Sequence, residues 1–125
     1  MKILKSETTS RFIVEKSYYR PGDETVKPHA YEPDKQGDCS VFRIKELINE
    51  NIWTLGEKFV GKLRGKPIKG RSDIKAEIIF ESGLKLIPEI KTHQRHSNIT
   101  GYPSNPDELL EVTTELANNA KLVLK

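Results

Sequence analysis

Ile74-Lys75-Ala76-Glu77-Ile78-Ile79-Phe80-Glu81-Ser82-Gly83-Leu84-Lys85-Leu86-Ile87 is the stretch on which the fold turns. Ile74, Ala76, Ile78 and Phe80 alternate with Lys75, Glu77 and Glu81, leaving Ile79 as the exception. That is the two-residue period of a half-buried strand. Ser82-Gly83 reads as a turn, and Leu84–Ile87 as the returning strand of a hairpin. Pro88 edges that strand, because it has no amide hydrogen to give to a ladder. A hairpin here puts an antiparallel sheet at the centre of the molecule.

Upstream, residues 64–72 form a basic, glycine-punctuated loop. Before it, Leu47, Ile48, Ile52, Leu55, Phe59 and Leu63 recur at helical spacing through Lys45–Leu63. Gly56 and Gly61 each weaken such a helix by about 1 kcal/mol relative to alanine. The expectation is a short helix near Lys45–Asn49 and a longer one from Asn51, with Asn49 or Asn51 as a cap. Trp53 belongs to the core by its spacing. Ser40–Ile44 and Thr8–Lys16 are strand candidates, and Lys2–Lys5 is a further short one. Residues 18–38 carry Pro21, Gly22, Pro28, Pro33 and Gly37, too many breaks for a regular element. A loop that long is usually functional or mobile, yet Tyr18, Tyr19, His29 and Tyr31 suggest that part of it packs down.

Downstream, Thr92–Pro106 reads as irregular. Asn105 then caps a C-terminal helix with Pro106 in its first turn. Its buried stripe is Leu109, Val112, Leu116, Ala117 and Ala120. Lys121–Lys125 extends that helix or adds a short strand. Helices and strands do not alternate regularly, so the fold class is α+β: a small, mostly antiparallel sheet packed with two or three helices, in one domain over residues 1–125.

Composition narrows the class further. One cysteine, Cys39, excludes an internal disulfide framework. The first residues turn polar too early for a signal peptide, and no apolar run is long enough for a membrane span. A cytoplasmic protein without membrane contact is expected. The net charge is +3, unevenly spread. Segment 58–75 holds Lys58, Lys62, Arg64, Lys66, Lys69, Arg71 and Lys75, while the C-terminal helix opens with Asp107, Glu108, Glu111 and Glu115. Such polarity steers polyanions, although most charge runs are solvated faces. The basic segment is therefore a candidate contact for nucleic acid or a protein partner.

The densest polar group is Thr92-His93-Gln94-Arg95-His96-Ser97-Asn98. Arg95 can grip a phosphate or carboxylate with two parallel hydrogen bonds. His93 and His96 are the candidate acid and base, because imidazole titrates near neutrality. Arg95, His96, Asn98 and Arg43 are the candidate binding residues. The alternative is a clasp that ties down the loop at Gly101-Tyr102-Pro103. Arg43 lies in an apolar strand, so if buried it needs a partner; Glu89 or a C-terminal-helix carboxylate would serve.

Other chemistries fit less well. His29, Cys39, His93 and His96 lack metal-ligand spacing, so neither a metal nor any other cofactor is expected. Asp73 with Glu89-Ile90-Lys91 matches an acidic-residue-plus-E-x-K nuclease pattern, a tripeptide common by chance. Ser40 and Cys39 are poor nucleophiles, with no glycine elbow and no base nearby in sequence.

Ser40-Val41-Phe42-Arg43, Ile52-Trp53-Thr54-Leu55-Gly56 and Arg95-His96-Ser97-Asn98-Ile99-Thr100-Gly101-Tyr102-Pro103 resemble, in that order, a family of small uncharacterised bacterial proteins. The likeness runs from about Tyr31 to Ala120, with Tyr102 where the family more often has tryptophan. It implies a bacterial origin and marks the same loop, but carries no established activity. The expected function is a non-enzymatic binding module that contacts an anionic group through the Arg95/His96 loop. The alternative is a phosphoester-acting enzyme, of nuclease or nucleotide-transfer type, using His93, His96 and Arg95.

Overall fold

The computed structural model describes residues 3–125. In chain order the strands and helices are β1 (Thr8–Ile13), β2 (Tyr19–Arg20), β3 (Thr25–Val26), β4 (Cys39–Arg43), α1 (Asn49–Gly56), α2 (Lys62–Arg64), β5 (Gly70–Lys75), α3 (Ala76–Glu81), β6 (Lys85–Pro88), β7 (His96–Thr100), α4 (Pro106–Asn118) and β8 (Lys121–Leu124). A π-helical stretch, Glu57–Gly61, joins α1 to α2. Six strands make one sheet in the order β6-β7-β4-β1-β5-β8, and β2 pairs with β3 beside it. Every pairing is antiparallel. The class is α+β, as expected.

The alternation at Ile74–Phe80 divides between two elements. Its first two residues end β5, which pairs with all of β1 from Gly70↔Ile13 to Lys75↔Thr8. The remainder is α3, not a strand. Ile79, the residue that broke the alternation, is fully buried together with Ala76 three positions earlier, a helical pair. The amides of Ala76 and Glu77, orphan donors at a helix start, bond to Glu7 O at 2.8 Å and Lys5 O at 3.0 Å. The chain entering β1 therefore holds the helix open at the position where a strand was expected. The 74–80/84–87 hairpin does not form. After a turn at Gly83 (φ +82°), β6 crosses to the far edge of the sheet and pairs with β7, from Lys85↔Thr100 to Pro88↔Ser97.

Three expected loops hold structure. Gly70–Ser72 lies in β5, where a Cβ on Gly70 would sit 2.9 Å from Val123 O of β8. Residues 96–100 of the expected irregular stretch are β7. Segment 18–38 contains the β2–β3 ladder and a 3-10 turn, Pro28–Tyr31. Its Val26, Ala30 and Tyr31 are buried, and the Tyr31 hydroxyl meets Ser72 Oγ at 2.6 Å. Burial pushes the Tyr31 phenol well above its ordinary range, so it stays protonated.

Lys45–Glu46 is a turn with Glu46 at φ +65° rather than a short helix. The helix starts at Asn49 without a side-chain cap. Gly56 is required by contact, because a Cβ there would fall 2.5 Å from the Phe12 ring. Asn105 caps α4 as expected, accepting from Asp107 N at 2.9 Å and Glu108 N at 3.1 Å. Lys121–Leu124 is a strand. Of the Lys2–Lys5 candidate, Lys2 lies outside the described residues and residues 3–5 form no strand.

Two cores follow from the alternation of the strands. One face, with Cys39, Val41, Ile74, Leu86 and Ile99, packs under α3 and α4. The other, with Phe12, Val14, Phe42 and Ile44, packs under Ile52 and Leu55 of α1. Trp53 lies partly buried at the edge of this second core, with the Arg71 guanidinium 4.6 Å from its ring. Among the described residues no helix is long and apolar enough to cross a membrane.

Candidate functional site at the β4–β7–β6 corner

β7 takes up only the end of the His-Arg-His segment: His96–Asn98 lie in a strand with its own two faces, and residues 93–95 form the bend before it. His96 and Asn98 point to the α1 side, while Ser97 and Ile99 point to the other. The register sets His96 opposite Phe42 and Asn98 opposite Ser40. Glu89 N bonds to His96 O at 2.9 Å, which places Glu89 on the far side of His96.

His96 is buried, at 7% exposure, and both ring nitrogens are bonded. Nε2 meets Ser40 Oγ at 2.6 Å. Nδ1 meets Glu89 Oε2 at 2.9 Å and Glu89 O at 3.0 Å. The Thr92 hydroxyl donates to Glu89 at 2.9 Å. That bond, with a smaller share from His96, holds the Glu89 carboxyl below its ordinary value despite some desolvation. An ionised Glu89 accepts from Nδ1–H, so Nε2 carries the lone pair and Ser40 donates to it.

His93 does not join this pair. Its Nδ1 accepts the Arg95 amide hydrogen at 3.0 Å, and its ring stands edge-on to Phe59 at 4.7 Å. Desolvation, then the charges of Arg95 and Lys58, keep its pKa below 6.5. Both imidazoles stand edge-on to Phe42, with ring centroids at 6.4 Å for His93 and 5.2 Å for His96.

Arg95 and Arg43 sit side by side. The Arg43 amide donates to Arg95 O at 2.8 Å. Arg43 forms a fork on Glu7, Nε to Oε1 and Nη2 to Oε2, both at 2.8 Å. Glu7 is 3% exposed, and Arg43 holds its carboxyl below 4.5 against the cost of burial. The partner of Arg43 is therefore Glu7, not Glu89 or an α4 carboxylate. Glu7 lies 36 residues away and directly precedes β1. Arg95 is used differently. Its Nη1 donates to Lys45 O at 2.8 Å and Arg43 O at 3.2 Å. No carboxylate pairs with it, and Nε and Nη2 have no bond among the described residues.

Two hollows meet at Arg95. One, about 220 Å³, is lined by Glu7, Arg43, Lys45, Glu46, Gln94 and Arg95. The other, about 380 Å³, runs between α1 and the 93–95 bend. Leu47, Leu55 and Phe59 supply its apolar part, and Lys58, His93 and Arg95 its polar part.

The remaining candidates do not converge. His29 pairs with Glu32 at the surface, Cys39 is buried in the other core, and no group of three metal-ligating side chains occurs among the described residues. Asp73 and Glu89 are separated by β1, β4 and β7, four strand spacings or about 19 Å. They cannot share a metal ion in the nuclease manner. Segment 58–75 does not present one cationic stripe. Lys66 pairs with Glu15, and Arg71 is buried against Asp73 and Asn49. Lys58 turns into the groove beside Arg95.

Ser40 is the residue that sequence reasoning set aside and the fold brings into contact with a base. Residues 96–100 have one apolar member, Ile99, so no alternation marked them as a strand; the pairing of β7 with β4 is what makes His96 a face residue. No protein-family model, curated protein or solved structure matches the chain.

Proposed function

We propose that the protein is a binding module that receives an anionic group, carried next to an apolar body, at Arg95. The observation that supports this most is the half-used guanidinium. Two backbone carbonyls fix Nη1, which removes most of the side-chain entropy an arginine loses on gripping a ligand. The rest of the fork stands between the two hollows without a neutralising carboxylate. Beside it, Leu47, Leu55 and Phe59 offer an apolar contact and Lys58 a second positive charge. A phosphate or carboxylate on an aromatic or aliphatic body matches both halves of this groove.

The phosphoester-enzyme alternative draws less support. His96 has both nitrogens engaged within the protein, and His93 spends Nδ1 on a backbone amide, so no imidazole pair faces Arg95. Phenyl phosphate is the probe. Titration followed by amide chemical shifts should move Gln94, Arg95 and Lys58 saturably. Inorganic phosphate, lacking the ring, should bind more weakly. Shifts spread evenly over the surface lysines would contradict the reading.

A further inference from the structure

The Ser40–His96–Glu89 chain goes beyond the anion contact, and none of its members is Arg95. We propose that Ser40 is an activated nucleophile, with His96 as its base and Glu89 as the orienting carboxylate, for acyl transfer from carboxylic esters to water.

The connectivity is what this chemistry needs. Nε2 faces the hydroxyl at 2.6 Å, and Nδ1 faces the carboxylate at 2.9 Å. The Nδ1 bonds to Glu89 Oε2 and Glu89 O fix both the ring and its tautomer, the condition under which a histidine takes a serine proton. Phe42 packs against the ring at 5.2 Å and shields one side of it from water. Asn98 lies directly across from Ser40 on the same face, where paired Cβ atoms are about 5 Å apart. Its side-chain amide has no hydrogen bond among the described residues, so it is placed to donate to an oxyanion forming beside Ser40. This end of the face is open. Ser40 and Asn98 are half-buried, and Ile87, next in the same cross-strand row, is 48% exposed.

In the reaction, Ser40 Oγ bonds to the ester carbonyl carbon and its proton passes to His96 Nε2. The carbon–oxygen bond to the leaving alcohol breaks, and that alcohol takes the proton from His96. Water, deprotonated by His96, then attacks the acyl group on Ser40. The acid leaves, and Ser40 recovers its hydrogen. Glu89 stays ionised throughout and balances the transient imidazolium.

The test is covalent labelling with a fluorophosphonate, located by peptide mass spectrometry, alongside p-nitrophenyl acetate turnover. Labelling should fall on Ser40 and vanish in Ser40→Ala. Glu89→Gln, which keeps the shape of a half-exposed side chain, should slow both labelling and turnover by at least about 100-fold. A purely structural hydrogen bond would change the stability of Ser40→Ala without making the wild-type serine reactive. No label on Ser40 under conditions that saturate a serine esterase would overturn the proposal. Equal labelling of Glu89→Gln and wild type would overturn it too.

Discussion

Arg43 and Arg95 are neighbours joined by a backbone hydrogen bond, yet the fold gives them opposite tasks. Arg43 is forked onto a buried carboxylate, and its side chain is only 12% exposed. Its charge is cancelled inside the protein. Arg95 is tethered by carbonyls, which orient a guanidinium without neutralising it. The lesson is that a buried cation matched by an acid serves the fold, while a cation held only by backbone dipoles keeps its charge for something outside.

The largest effect should come from breaking the first arrangement. Glu7→Ala leaves the Arg43 charge without its carboxylate in a largely buried position, which typically costs about 3 kcal/mol or more. Urea denaturation should show a clearly lower midpoint with an unchanged slope. Arg95→Ala, which removes two hydrogen bonds to carbonyls and no ion pair, should cost about 1 kcal/mol.

The same pair has a pH signature of intermediate size. Arg43 holds the native Glu7 carboxyl below 4.5, so the unfolded chain binds this proton at a higher pH than the native protein does. The stabilisation is complete above pH 4.5 and disappears as pH falls through the native value. Glu7→Gln should therefore be less stable at neutral pH, and its urea midpoint should fall less steeply below pH 4.5 than that of the wild type.

How much of this was legible depended on distance along the chain. The start of α4 was readable because Asn105, Pro106 and Asp107 are adjacent and the cap is local. The helix over residues 49–64 was readable from its period, although its start was not, because Asn49 bonds to Arg71 instead of capping. α3 was misread because a short apolar run fits both periods; the amides that Glu7 and Lys5 accept from decided between them. β7 was misread because its polar members looked like a loop. Their partners, Ser40 on β4 and Glu89 just past the end of β6, are brought to them by a strand order that no local signal reveals. The Arg95 segment stood out in the sequence as the densest polar run, but its division into an outward Arg95 and an inward His96 required the register.

The smallest stability effect belongs to His93. Desolvation and the neighbouring cations keep its native pKa below 6.5. Its contribution is present above pH 6.5 and is lost as pH falls through the native value. His93→Asn should lose part of the decline in stability that sets in as pH falls below 6.5. Thermal midpoints measured above and below that pH would detect the difference.

The contrast between the two arginines is tested most directly by calorimetric titration of phenyl phosphate into wild type, Arg95→Ala and Lys91→Ala. Both variants lose one positive charge from the same stretch of chain, and Lys91 is exposed. Loss of a hydrogen bond to a charged group, about 1.5–3 kcal/mol, predicts a 10- to 100-fold weaker Kd for Arg95→Ala and little change for Lys91→Ala. Equal weakening in the two variants would mean that general surface charge attracts the anion, and the assignment to Arg95 would be wrong.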